Sequence, residues 1–291
     1  MMRELLSIAI CFLLAACGGP ELQSWHTVEL DQEFSVTRTQ DVDTFSAYMA
    51  MEAQLFEELD REIYALTETG PSQTLNRYSA GSAADPRNRR PNWNRSFELT
   101  PEAPHGAVLL LHGMSDSPYS LRTLGESLSR QGYRVLGLRL PGHGTIPSGL
   151  TNVKWQDMAA SVAIATKHLS KQLPGQPIHI VGYSTGASLA LNYVLDIQEH
   201  SGGPVPASLV LISPAVGVSP IAALSSWKRR LSLLPGLERM QWLSIEPEFD
   251  PYKYNSFATN AAEQVHLLTR SIFRQVANRT RDGNSNPLPP M

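Results

Sequence analysis

The passage from Ile178 to Gln198 constrains this chain more than any other. Ile178-His179-Ile180-Val181-Gly182-Tyr183 reads as a strand without the clean apolar–polar alternation of one with a wet face. It ends in Gly182-Tyr183-Ser184-Thr185-Gly186, and a helix is expected from Ser184 to Gln198. A strand that enters a helix through G-x-S-x-G turns sharply and lifts its Ser above the end of a sheet. Positions 182 and 186 must be small, because side chains there would collide across the turn. The Ser hydroxyl then sits at a helix N-terminus, where the dipole and free N–H groups favour developing negative charge. Ser184 is therefore the candidate nucleophile.

The surrounding sequence alternates in kind. Strands are expected at Ser96–Leu99, Ala107–His112, Tyr133–Leu138, Ile178–Tyr183 and Ala207–Ser213, with helices at Ser120–Gln131 and Val153–Gln172 between them. Continuous apolar strands separated by helices predict an α/β fold, a mostly parallel sheet covered on both faces. Residues 217–257 break this rhythm. Trp227, Leu231, Leu233, Leu234, Leu237, Met240, Trp242 and Leu243 with Pro235 and Pro247 predict a small helical cap, followed by a body helix at Ala261–Ala277. Before the sheet, Phe45, Tyr48, Met49, Leu55, Phe56, Leu59, Ile63 and Leu66 recur at helical spacing. Residues 69–94 are loop-rich. The expected division is 1–16 signal peptide, 17–43 polar tether, 44–94 helix and loop, and 95–291 the main domain.

Two loops flank the nucleophile's strand in this scheme. Leu111-His112-Gly113-Met114 follows the strand at 107–112. An oxyanion hole needs two backbone N–H groups aimed at one point, and Met114 and Thr185 are placed to give them. His112 and His143, the latter in Leu140-Pro141-Gly142-His143-Gly144, are expected to bond within their loops rather than act as bases. The formal net charge of −3 gives no reason to expect a nucleic-acid partner. Arg87, Arg89, Arg90 and Arg95 are expected in a solvated loop. With no clustered metal ligands and no phosphate-cradling glycine loop, neither metal nor cofactor is expected.

Taken in order, HGMSDSPYS, LRLPGHG, GYSTGAS and LVLISPA resemble the α/β-hydrolase superfamily over roughly residues 95–280. The branch most resembled holds monoacylglycerol lipases, carboxylesterases and serine-aminopeptidase-like hydrolases. The resemblance implies a Ser184 nucleophile with Met114 and Thr185 as oxyanion donors. It also implies an acid and then a His after the cap. His200 and His266 are the only histidines after Ser184, and neither lies where that order needs one. Glu248 and Asp250 are weak candidates for the acid. The next strand is expected at about Pro289 to Met291, with the acid and the His beyond Met291.

At the other end, Arg3 precedes an apolar run from Leu5 to Ala16, too short to span a bilayer comfortably. Leu14-Ala15-Ala16-Cys17 resembles a bacterial lipobox. Cys11 would leave with the signal peptide, and Cys17 would become an acylated N-terminus on an exported protein. Gly18 then favours the outer membrane. An ordinary secretory signal with an incidental Cys17 is the alternative. Three functions are compatible with all this: an ester hydrolase with a small or lipid ester as substrate, a peptidase, thioesterase or acyltransferase using the same Ser, and an inactive surface lipoprotein.

Overall fold

The computed structural model describes residues 20–37, 42–200, 202–217, 236–281 and 287–291. Cys11 and Cys17 lie outside the described residues, as do Trp227, Leu231, Leu233 and Leu234 of the expected cap. Five strands form the main sheet: β1 (Phe97–Leu99), β2 (Gly106–Leu111), β3 (Tyr133–Leu138), β4 (Ile178–Tyr183) and β5 (Ser208–Ile212). Their spatial order is β1-β3-β2-β4-β5. Only the β1–β3 pair is antiparallel.

This order places a topological switch between β2 and β4. The chain leaves β2 for β3 on one side and returns to β4 on the other. In open α/β sheets the crevice at such a point, beyond the C-terminal strand ends, is where ligands bind. Here those ends carry His112-Gly113-Met114 and Ser184.

One face of the sheet packs against α5 (Trp155–Gln172), α6 (Thr185–His200) and α7 (Thr259–Arg281), with Leu109, Leu136, Ile180 and Leu189 in its core. On the other, Val108, Leu110, Val135 and Val181 pack with Leu121 and with Leu128 of α3 (Arg122–Arg130), while the short α4 (Gly149–Asn152) lies between β3 and α5 in sequence. Cover thins at β5, where Val210 and Ile212 remain exposed. Among the described residues the outer edge of β5 is met at one point: the Leu209 N–H donates to the Pro290 carbonyl at 2.9 Å.

Three expectations are corrected. Residues of the supposed tether pack on the body. They form a short helix, α1 (Ser24–Thr27), and bury Trp25, Leu30 and Phe34. Their apolar residues are too sparse for a periodic signal, and long-range polar contacts fix them. Glu33 takes a two-pronged ion pair from Arg139, and the Asp31 and Gln32 N–H groups donate to the Glu58 carboxylate. The described part of the cap holds one short 3-10 turn, Glu238–Gln241, and then a strand pair in place of further helix. Trp242–Ser244 (β6) pairs antiparallel with Phe257–Ala258 (β7), because Trp242 is buried and Leu243 exposed, a two-residue alternation. Of the Arg cluster, only Arg89 and Arg90 are exposed. Arg87 bonds Asp85 and Asp60 and lies 3.6 Å over the Tyr64 ring, and Arg95 lies 4.2 Å over Phe56.

The helix before the sheet forms as expected. This element, α2 (Phe45–Leu59), turns through Asp60–Tyr64 and buries Tyr48, Leu55, Leu59 and Ile63. Its Glu52 bonds the Arg139 Nε at 3.1 Å, while Glu33 takes the other end of the guanidinium. Arg139→Ala leaves two acidic groups in this interior without their cation. It should lower unfolding stability by about 3–5 kcal/mol. Residues 24–36 should also become accessible to limited proteolysis before the sheet unfolds.

Candidate active site

Ser184 stands at the end of β4 with φ of 52°, a left-handed conformation that costs a non-glycine residue about 1–3 kcal/mol. Its backbone is held on both sides. The Ser184 N–H donates to the Ile212 carbonyl at 2.9 Å. The Ser184 carbonyl accepts from Ala187, Ser188 and Ala215. The loop after β5 is thereby pinned to the turn, and Ser188 and Thr269 both donate to the Ala215 carbonyl to hold it there.

The turn demands its glycines. A Cβ on Gly182 would lie 2.5 Å from the Cα of Ala187, and one on Gly186 would lie 2.2 Å from the Leu111 carbonyl oxygen. The second clash shows how closely the helix start approaches the end of β2. The loop after β2 is also near: a Cβ on Gly113 would lie 3.3 Å from the Ser184 Cβ. The structure therefore brings Ser184, Thr185 and the Gly113-Met114 peptide together. Among the described residues, neither the Met114 N–H nor the Thr185 N–H has a hydrogen-bond acceptor. Two free donors beside a Ser hydroxyl at a helix N-terminus can stabilise an oxyanion.

His112 is fully buried, and both of its ring nitrogens are used. Nε2 accepts the Leu140 N–H at 3.1 Å, so Nδ1 carries the proton and donates to the Gly113 carbonyl at 2.9 Å. That carbonyl and the Met114 N–H belong to one planar peptide, so fixing one aims the other. His112 thus orients a candidate oxyanion donor. Burial pushes its pKa down to about 4, which keeps it neutral and preserves the tautomer. His143 lies edge-on to it at 5.0 Å, donates from Nδ1 to the Pro141 carbonyl, and is pushed to about 3, again chiefly by burial.

The other candidates fall elsewhere. His200 is exposed and contacts Asp196 one helical turn back. His266 is half-buried within α7. Glu248 is buried and its carboxylate accepts the N–H groups of Asn255 and Ser256, which makes it the brace of a loop. Asp250 accepts from Tyr252 and Lys253 in a local turn. Among the described residues no side chain hydrogen-bonds the Ser184 hydroxyl.

The strap Glu248–Ser256 was not legible as part of the site. The Tyr254 N–H donates to the Ser115 carbonyl at 2.8 Å, and Ser115 has φ of 62°. The Tyr254 hydroxyl accepts the Thr145 N–H and donates to the Gly142 carbonyl. Tyr252 stacks on Tyr119 at 3.6 Å. One segment thus clamps both loops flanking Ser184. Its only sequence signal was the Tyr-x-Tyr spacing at 252 and 254.

A doubly covered, mostly parallel sheet with a Ser on this strand–turn–helix defines an α/β-hydrolase. Residues 102–279 match the family described as serine aminopeptidase, S33 (Hydrolase_4), and the chain belongs to that family. It is 35% identical over 109 residues to a thermostable monoacylglycerol lipase of Bacillus sp. (strain H-257), covering 38% of this chain and 42% of the relative. It is 36% identical over 90 residues to the magnesium-chelatase 30 kDa subunit of Rhodobacter capsulatus, covering 31% and 30%. The chain thus spans less than half the length of either curated relative. Among solved structures, one of the metagenome-derived lipolytic enzymes LipS and LipT superposes with a TM-score of 0.50 at 21% identity, covering 63% of this chain and 71% of that one. The last likeness shows the fold.

Two measurements test this geometry. Gly186→Ala should destabilise the fold by about 3 kcal/mol or more in denaturant unfolding, since the methyl meets backbone that cannot yield. Acidification should act through His112. The unfolded chain protonates this His below about pH 6.5, whereas the folded chain does not until about pH 4. Stability should therefore be unaffected by this group above pH 6.5 and fall as pH drops from 6.5 to 4, His112 contributing on the order of 3 kcal/mol and the likewise depressed His143 adding to the fall. The fall should be shallower in His112→Gln.

Proposed function

We propose that Ser184 is the nucleophile of a carboxylic-ester hydrolase that acts on acyl or lipid esters. The observation that carries this is the Ser184 backbone at φ of 52°, against which the Gly113-Met114 peptide and the helix start converge. The Ser184 Oγ attacks the ester carbonyl, and the N–H groups of Met114 and Thr185 receive the oxyanion. Collapse expels the alcohol and leaves an acyl-enzyme, which water then hydrolyses to the acid. The proton on Oγ must pass to a base, which the described residues do not present to Ser184. The monoacylglycerol lipase likeness supports an acyl ester over other substrates.

A peptidase, thioesterase or acyltransferase would use the same Ser and the same two N–H groups, and the family description favours the peptidase among them. The absence of a side chain bonded to the Ser184 hydroxyl among the described residues supports a different reading, an inactive surface lipoprotein. For location, the lipobox-like Leu14-Ala15-Ala16-Cys17 supports export and acylation at Cys17, with the outer membrane as destination.

The deciding experiment uses the protein isolated from its native envelope. It should hydrolyse a nitrophenyl acyl ester faster than peptide amides, and Ser184→Ala should lose about 10⁴-fold or more in turnover. Unchanged hydrolysis in that variant would end the Ser184 reading. Absence of fluorophosphonate labelling in the unaltered protein would favour the inactive lipoprotein.

A further inference from the structure

The packed N-terminal segment removes the slack that a polar tether would have given. Pro20 is already on the body, in an open cleft lined also by Leu75, Ile245, Pro247 and Phe249. Two residues, Gly18 and Gly19, separate it from Cys17, and the three Cα steps reach about 11 Å at most. An acyl anchor on Cys17 therefore cannot hold the body at a distance from the membrane. Whatever surface surrounds Pro20 must come down beside the lipid.

That surface is apolar where it is most prominent. Leu75 is 65% exposed and Phe249 is 55% exposed, and the described contacts leave both tips without cover. The charged residues lining the cleft are acidic, Glu21, Glu246 and Glu248, the last of them buried. His26 beneath them is held neutral, its pKa pushed by burial to about 4. A face with apolar tips and no lining cation suits hydrocarbon beneath zwitterionic headgroups rather than an anionic surface.

We infer that the face around Pro20, Leu75 and Phe249 rests on the bilayer, with Leu75 and Phe249 inserted among the lipids next to the Cys17 anchor. This rests on the reading of Cys17 as acylated. It gives the proposed hydrolase an orientation. Phe249 lies on the strap that carries Tyr252 to Tyr119 and Tyr254 to Ser115, so the membrane face and the oxyanion loop share one short segment. An ester drawn from the bilayer would meet the protein at a face joined to the Ser115 loop through the Glu248–Ser256 segment, which argues for membrane-resident acyl esters as the substrate class.

The test uses the full acylated chain in phosphatidylcholine vesicles. With Cys11 removed and Cys17 modified, a new Cys is the only free thiol. Leu75→Cys, Phe249→Cys and Val205→Cys are each labelled with an environment-sensitive fluorophore, Val205 being an exposed residue before β5. Positions 75 and 249 should show blue-shifted emission and quenching by brominated lipid, and position 205 neither. Replacing part of the phosphatidylcholine with an anionic lipid should not increase the quenching. Vesicle-bound protein whose labels at 75 and 249 behave like that at 205 would overturn the inference while leaving the anchor intact. Mass spectrometry showing no acyl group on Cys17 would overturn the anchor and this inference with it. Neither readout involves turnover, so a failure of the hydrolase reading is separately visible.

Discussion

Arg139 has no exposed surface, and a guanidinium taken out of water costs several kcal/mol unless its charge and donors are met. It sits just past β3, and what meets it comes from every neighbouring part of the chain. Glu33 reaches in from the N-terminal segment and Glu52 from α2. The His143 carbonyl accepts from the loop after β3. Ser96 accepts the Arg139 N–H and donates to Glu52, and Tyr48 donates to the Arg139 carbonyl. The carboxylates near Arg139 hold its pKa well above the ordinary value against the opposing effect of burial, so the group stays charged. A neutral side chain could fill this space but could not require all these segments to converge.

Two consequences reach the site. The loop Leu140–Gly144 is anchored at its base by Arg139, and Leu140 in turn donates to His112, which aims the Gly113-Met114 peptide. The candidate oxyanion donor is therefore three contacts from the ion network. The same network ties residues 24–36 to the body, which is why the N-terminal segment is short and packed rather than a free leash. The geometry around Ser184 and the placing of the N-terminal segment depend on one cation.

The order of elements was legible because it is local. The strands at 133–138 and 178–183 match their expected limits, since apolar runs bounded by loop residues need no distant partner to be seen. The Ser184 turn was legible for the same reason, its glycines and its strand–helix context lying within a few residues. What escaped was non-local. Trp25, Leu30 and Phe34 are isolated apolar residues whose burial depends on surfaces far away in sequence. Glu248 looked like a possible acid because a carboxylate in sequence does not reveal that two backbone N–H groups, Asn255 and Ser256, already occupy it. Tyr254 gave no sign that its backbone would hold Ser115.

The strain at Ser184 bears on the choice between a hydrolase and an inert lipoprotein. A left-handed Ser persists only where surrounding bonds over-determine it, and here four backbone hydrogen bonds and two glycines with no room for a methyl do so. The strain points a hydroxyl past the sheet and leaves the Thr185 N–H free at the head of α6. A surface that merely bound a partner would gain nothing from either feature, and relaxing Ser184 to an ordinary conformation would stabilise it. Even without a base, two oriented donors and a bound ester retain about 10³–10⁴-fold catalysis over water in enzymes of this chemistry. The strained turn therefore supports the proposed acyl transfer at Ser184 over the inert-lipoprotein reading, and in that proposal the base is the component that sets its speed.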